Sequence, residues 1–504
     1  MLREITRRRT IAVISHPDAG KTTLTERLLA ETGVIAKAGQ VNAKREGATT
    51  TTDWMSLERD RGISVTSSAV RIETETATIN LLDTPDHGDF SEDTYRVLSA
   101  GDAAIMLLDA PKGIEPQTRR LFEVCRARNT PIITFINKFD RPARDPLEIL
   151  HEIETELNLV ACPFTWPVGD GDRFRALIDL PAVERRMLVP GGIEPNDNEW
   201  DAAEAGGELA WEAAGGFDRD AFLAGTSTPV VFGAAAKGWG TDDLLKLVET
   251  IAPPPAPLTT VTGDKRPLDA PFAGFVFKLQ SNMDPRHRDV SAFLRVCSGH
   301  FERGMKVIIS RTGSPMVLKQ AQEPFGRERN TIEDAWPGDV VVLPNSTSIR
   351  IGDTLHAPGS SVAFPHIKSF APGMFAEIVN RDIARRKQFQ KGIDQLTGEG
   401  VVQLLVDPRV GIQRPIAPAA GELQFEVFSH RMKDEFGVEV RLDRLPYDSS
   451  AQTRAEDLPT IKTWHGVAVY ERTDGSPLVL FGSSWALDGR RRTDPEVMLE
   501  DVLS

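Results

Sequence analysis

The sequence predicts a multidomain α/β chain. It should open with a mostly parallel sheet covered by helices on both faces, continue as a β-barrel, and end as an α+β domain. Three observations lead there. At 504 residues the chain exceeds a single core, and at roughly 150 residues per domain it divides into about three. Four prolines in five residues, within "IAPPPAPL" at Ile251 to Leu258, make an extended, stiff connector. On either side of that connector the hydrophobic pattern differs in kind.

Before the connector, short apolar runs alternate with amphipathic ones. "TIAVIS", "ATINLLD", "AAIMLLDA" and "PIITFINK" read as buried strands, and "TTLTERLLAE" reads as a helix between two of them. That alternation is the mark of a parallel sheet with crossover helices. From about Phe272 to Pro365 the chain turns to short strands and glycine turns, as in "FLRVCSGHFERGMKVIIS", which suits a small barrel. From Met374 onward, "AEIVNRDIARRKQFQKGIDQLTGEG" and "ELQFEVFSHRMKDEFG" read as helices among strands such as "VVQLLV" and "VEVRL". The expected boundaries are 1–258, 259–370 and 371–504.

Composition excludes several classes. Charged residues make up 26% and hydrophobic ones 40%, enough apolar material for each domain to fold. No secretory signal opens the chain, and no apolar stretch is long enough to span a bilayer. Cys125, Cys162 and Cys297 lie far apart, which fits a reducing cytoplasm better than a disulfide framework or a zinc site. The net charge of −14 would repel nucleic acid overall, so any RNA contact must come from local runs. The candidates are Arg7 to Arg9, Ala384 to Lys391 and Gly489 to Arg492; each also reads as an ordinary solvated face.

Chemistry concentrates before the connector. "SHPDAGKTT", Ser15 to Thr23, follows a strand and opens a helix, as a phosphate-cradling loop requires. Gly20, Lys21 and Thr22 stand where that loop wants glycine, lysine and a magnesium-binding hydroxyl, although Ser15 replaces its first glycine. "INKFD" ends another apolar run. Guanine offers N1–H and an exocyclic amine as adjacent donors, and the Asp140 carboxylate accepts both, whereas adenine offers no such pair. Asn137 can donate toward the other edge of the base, and Lys138 can lay its stem over the ring. In "NLLDTPDHGDF", Asp83 ends a strand where it can hold a magnesium shell through water. Thr84 and Pro85 turn the chain across the γ-phosphate position, and His87 follows where a side chain can orient an attacking water.

In this order, "SHPDAGKTT", "DWMSLERDRGISVTSS", "DTPDHGDFSEDTYRVL" and "INKFDRPARDP" resemble the translational GTPases, most closely the bacterial release factor three type. Longer stretches carry the same likeness, among them "TWPVGDG", "FVFKLQSNMDPRHRDV" and "GELQFEVFSHRMKDEFGVE", and together they cover most of residues 1–445. The resemblance implies a GTPase domain, a barrel and a terminal α+β domain. It further implies a cytoplasmic, monomeric factor that hydrolyses GTP with Mg2+ on the ribosome and promotes departure of stop-codon-reading release factors. By motif, Asp18, Ala19, Gly20, Lys21, Thr22 and Thr23 would hold phosphates, and Asn137, Lys138 and Asp140 would read guanine. Ala234 and Ala235 would support the base through backbone N–H groups, and His87 would act in catalysis. Thr22, Asp83 and Ser64 would serve the metal, with Thr66 the alternative to Ser64.

Two residues depart from the family pattern D-T-P-G-H-E-D-F, a glycine and an acid nearly exchanging places across His87: Gly88 stands where the acid does, and Asp86 stands where the glycine meets the γ-phosphate. Glycine there gives its amide without a side chain and lets the loop flip. Two unit charges ~4 Å apart in an effective dielectric of ~20 repel by about 4 kcal/mol. The alternative function is therefore a GDP-holding ribosome-binding protein whose hydrolysis is weak or vestigial.

Overall fold

The computed structural model describes residues 1–35, 67–85, 89, 91–281, 290–324, 330–365, 372–407, 411–473 and 475–500. The first unit contributes ten strands: β1 (Arg8–Ser15), β2 (Ser68–Glu73), β3 (Thr78–Asp83), β4 (Ala103–Asp109), β5 (Ile132–Asn137), β6 (Val160–Pro163), β7 (Thr165–Val168), β8 (Ala176–Asp179), β9 (Glu184–Met187) and β10 (Ser227–Phe232). Seven of them form one sheet in the order β2-β3-β1-β4-β5-β10-β6, while β7-β8-β9 form a small separate sheet. All pairings in the large sheet are parallel except β2 with β3. Its helices are α1 (Leu2–Arg7), α2 (Lys21–Glu31), α3 (Ser91–Ala100), α4 (Pro116–Ala127), α5 (Pro146–Leu157), α6 (Asp197–Ala213), α7 (Arg219–Leu223) and α8 (Thr241–Ile251).

Side chains of a strand alternate between faces, so a sheet covered on both sides must be apolar at every position. The central strands obey this. Ile11, Val13, Ile105, Leu107, Ile133 and Phe135 pack with Leu24 and Leu28 of α2 and Leu244 and Leu247 of α8. Their neighbours Ala12, Ile14, Ala104, Met106, Leu108, Ile132 and Ile136 pack on the other side with Val97 of α3, Leu121 of α4 and Ile149 of α5. Local signals agree with these helices: Pro146 opens α5 behind Asp145, whose side chain accepts from Leu147 N, and Asn196 with Glu199 makes a reciprocal cap at α6.

The second unit is all β: β11 (Ala273–Ser281), β12 (Val290–Ser298), β13 (Phe301–Glu302), β14 (Lys306–Ile309), β15 (Ser314–Val317), β16 (Asp334–Ala335), β17 (Val340–Leu343) and β18 (Thr354–His356). Six strands pair antiparallel in the order β15-β14-β18-β11-β12-β17, and β13 pairs with β16. One face encloses its own core around Val276, Leu294, Val307 and Val341. Phe275, Phe277 and Phe293 instead join the cluster that contains Val97, Ala100 and Ala104, so the first two units share an apolar core. Buried polar contacts reinforce the joint: Arg8 Nε donates to Asp339 Oδ2 at 2.8 Å, Thr10 Oγ1 to the Gly338 carbonyl at 2.7 Å, and Arg295 Nη2 to Asp102 Oδ1 at 2.6 Å.

The third unit holds β19 (Met374–Asn380), β20 (Leu405–Asp407), β21 (Gly411–Ala419), β22 (Val440–Arg444), β23 (Ser449–Gln452), β24 (Val467–Arg472) and β25 (Pro477–Phe481). They form one antiparallel sheet in the order β22-β19-β21-β20-β24-β25-β23. Its helices are α9 (Arg386–Gly398), α10 (Glu422–Phe436), α11 (Leu458–Ile461) and α12 (Ser484–Thr493). The expected single helix from Ala376 divides here. Its first residues form strand β19, where β-branched Ile378 and Val379 pair with Leu442 and Arg441 of β22, and the helix begins only at Arg386. Among the described residues, no helix is long and apolar enough to cross a membrane.

Candidate nucleotide-binding site

Strands β1, β3, β4, β5 and β10 all run the same way, so their carboxyl ends share one edge, where ligands of open α/β sheets bind. β3 ends at Asp83, β4 at Asp109 and β5 at Asn137, and the last two are register partners. Ser15 is the last residue of β1, extended backbone that any side chain adopts, which removes the need for a glycine there.

The loop from His16 to Gly20 turns through two left-handed residues, Asp18 at φ 64° and Gly20 at φ 101°, before α2 starts at Lys21. Gly20 is required twice over, because a Cβ there would also stand 2.5 Å from Asn137 Nδ2. Ala19 is buried beneath the loop, Asp18 is exposed, and Thr22 and Thr23 are half-buried in the first turn of α2. Lys21 is buried, and its Nζ donates to Asp83 Oδ1 at 2.7 Å and to the Thr84 carbonyl. Thr84 Oγ1 donates to the Val13 carbonyl at 2.6 Å, tying the turn after β3 to β1.

Asn137 links two loops. Its Nδ2 donates to the Ala19 carbonyl at 2.8 Å, and its Oδ1 accepts from Ala235 N at 2.9 Å. Lys138, at φ 71°, donates from Nζ to Asp109 Oδ2 at 2.7 Å and to the Asp18 carbonyl. Asp140 is half-buried, and its carboxylate has no hydrogen-bond or ion-pair partner among the described residues. The Ala234 amide donates to the Trp239 carbonyl at 2.8 Å. The amides of Ala234 and Ala235, which the family resemblance sets toward the base, are each engaged within the protein here. Likewise Asn137 has its amide committed to the loops on either side.

Asp109 is a site residue that the motifs did not bring out. Its signal was available, since the strand run "AAIMLLD" ends in an acid as "ATINLLD" does, but it belongs to no short pattern. Ser64, Thr66, Asp86 and His87 lie outside the described residues.

Residues 6–254 match the model of the elongation factor Tu GTP binding domain, 271–357 that of elongation factor G domain 2, and 364–490 that of the class II release factor RF3 C-terminal domain. The chain is 43% identical to peptide chain release factor 3 of Bordetella avium, covering 99% of this chain and 96% of that one. It is 42% identical to peptide chain release factor 3 of Synechococcus elongatus, covering 99% and 93%. The chain belongs to the peptide chain release factor 3 family. It is accordingly a translational GTPase that binds guanine nucleotide and acts with the ribosome. A crystal structure of a Thermus thermophilus protein shares this chain's fold at TM-score 0.72 and 22% identity, covering 93% of this chain and 71% of that one.

Proposed function

We propose that the edge formed by Gly20, Lys21, Asn137 and Asp140 holds the nucleotide, and that its hydrolysis promotes dissociation of stop-codon-reading release factors after peptide release. One observation carries the site: Asn137 joins the phosphate loop to the Ala235 loop, while the Asp140 carboxylate beside it has no partner among the described residues. A half-buried carboxylate kept without a protein donor suits guanine, which brings two.

In this reading the loop amides from Asp18 to Thr23 and the Lys21 ammonium receive the phosphates. Lys21 leaves Asp83 and Thr84 to do so, since one ammonium cannot serve both sets fully. Asp109 keeps the Lys138 stem beside the base, and Ala234 and Ala235 act through the loop that Asn137 braces. The donors fit Mg2+: a hydroxyl at Thr22 and the carboxylate of Asp83, both hard oxygen groups, with Ser64 as the third from sequence. A bound Mg2+ would neutralise phosphate charge. His87 orients the attacking water. Three buried thiols favour a cytoplasmic setting, and the working units are 1–258, 259–370 and 371–504, in a monomer.

Ribosome-stimulated phosphate release tests this reading. The native chain turns over well above background, and His87→Ala lowers turnover about a hundredfold or more with GDP affinity nearly kept. Background turnover in the native chain, restored by Asp86→Gly, would instead favour the GDP-holding alternative.

A further inference from the structure

The small sheet of β7, β8 and β9 carries no phosphate or base motif of its own, yet the stretch that opens it, "TWPVGDG" at residues 165–171, leads to the segment that holds Asp140. β7 and β8 pair antiparallel from Thr165 with Asp179 to Val168 with Ala176, so residues 169–175 form the connection between them. That connection folds on itself. Gly171–Arg173 make a single 3-10 turn, and the amides of Arg173 and Phe174 donate to the carbonyls of Asp170 and Gly171 at 3.0 and 3.2 Å. Gly169, at φ 78°, admits this fold, because a Cβ there would stand 2.2 Å from the Arg173 carbonyl.

Three contacts run from this turn to the segment after β5. Gly171 N donates to the Phe139 carbonyl at 2.8 Å and to the Arg141 carbonyl at 3.1 Å, the residues on either side of Asp140. Asp170 Oδ2 accepts from Ala143 N at 3.1 Å. Buried Phe174 sets its ring 5.7 Å from that of buried Phe139, which in turn lies edge-on to Phe232 at 5.2 Å. The Phe174 ring also meets that of Trp239 at 5.7 Å, and Trp239 exchanges backbone hydrogen bonds with Ala234 at 2.8 and 3.2 Å. One buried ring thus touches both the Asp140 segment and the Ala234 loop. The small sheet is itself anchored, since Thr165 Oγ1 accepts from Phe232 N at the end of β10 at 3.0 Å.

A carboxylate that must meet two donors on one base edge has to be held to within about 0.5 Å of its productive position. Within its own segment Asp140 is framed by Arg141 N on the Lys138 carbonyl at 3.0 Å, and the remaining anchors come from the turn 30 positions further along. We propose that the turn from Gly169 to Phe174 is a positioning element for base selection. Through Gly171 and Asp170 it holds the Asp140 carboxylate where it meets guanine's N1–H and 2-amine together, and through Phe174 it keeps that carboxylate in register with the Ala234 loop. This rests on the nucleotide site proposed above and adds to it residues that act through Asp140 rather than on the nucleotide.

Calorimetric titration of the full chain with GDP and with inosine diphosphate, each with Mg2+, tests it. The two ligands differ only in the 2-amine, so the ratio of their affinities reads the placement of the Asp140 carboxylate, whereas a general loss of the fold weakens both alike. The native chain should prefer GDP by about tenfold or more. Asp170→Ala removes the acceptor of Ala143 N and should cut that preference about threefold, and Phe174→Leu should cut it by at least as much. Asp170→Asn keeps an acceptor oxygen and should stay within about twofold of native. In an Asp140→Ala background neither Asp170→Ala nor Phe174→Leu should alter the ratio, because the group they place is gone. An unchanged ratio in folded Asp170→Ala overturns the proposal, and so does a change that persists when residue 140 is alanine. Should Phe174→Leu fail to fold, Asp170→Ala decides alone. A native chain that binds neither diphosphate, or binds both equally, refutes the nucleotide reading itself, and the role of the turn falls with it.

Discussion

Asn137 holds Ala19: its Nδ2 donates to the Ala19 carbonyl at 2.8 Å, across 118 positions of sequence, while its Oδ1 receives Ala235 N. The side chain is buried, so both bonds form away from water. Asn137→Ala strands a buried carbonyl and a buried amide, each costing about 1–3 kcal/mol. GDP affinity should fall about a hundredfold or more, and the melting temperature should drop by several degrees; calorimetry and a thermal melt measure both.

Asp140 sets the base. Asp140→Asn replaces two acceptors with an acceptor and a donor, which clash with the guanine amine but suit the 2-oxo group of xanthine. GDP affinity should fall about a hundredfold, while xanthosine diphosphate should bind better than GDP, in a competition assay.

Asp339 tests the joint between the first two units. It is fully buried and accepts from Arg8 Nε at 2.8 Å, Asn80 Nδ2 at 3.3 Å and Trp336 N at 2.9 Å. Asp339→Ala leaves the buried Arg8 guanidinium with Glu4 alone, 2.9 Å from Nη1, and removes the acceptor of Trp336 N, a loss of about 3–5 kcal/mol. Chemical denaturation should show it as a lower midpoint, and Arg8→Met with Asp339→Leu together should recover much of the loss.

The cysteines should be unreactive. Burial pushes the thiols of Cys125, Cys162 and Cys297 up to about 12, so at neutral pH almost none is thiolate, the nucleophilic form. A disulfide reagent should label none quickly in the folded chain and all three after denaturation.

How much of this the sequence discloses depends on whether a feature is local. The strands β1, β3, β4 and β5 were legible because both faces are covered and each reads as an unbroken apolar run. Gly20, Lys21 and Asp140 stand out in the sequence as candidates because their spacing is a chemical requirement of the proposed site. Asp109 does not, because its partner, Lys138, is one that the fold brings from 29 positions away. The strand at Met374–Asn380 was missed because its register partners in β21 and β22 lie far along the chain. Asn137 was recognised, yet its two loop partners follow only from the folded geometry.

The charge at Asp86 sets a separate expectation. Asp86→Gly should raise affinity for a GTP analogue by tenfold or more, within the ceiling of about 4 kcal/mol, and leave GDP affinity nearly unchanged, because only the γ-phosphate meets that charge.

The central claim is a pocket that grips a diphosphate and selects guanine, and titration of the folded native chain with GDP and Mg2+, followed by challenge with excess ATP, tests it most directly. The account predicts one site per chain, with bound GDP that ATP fails to displace. Absence of binding, or displacement by ATP as readily as by GTP, would contradict it.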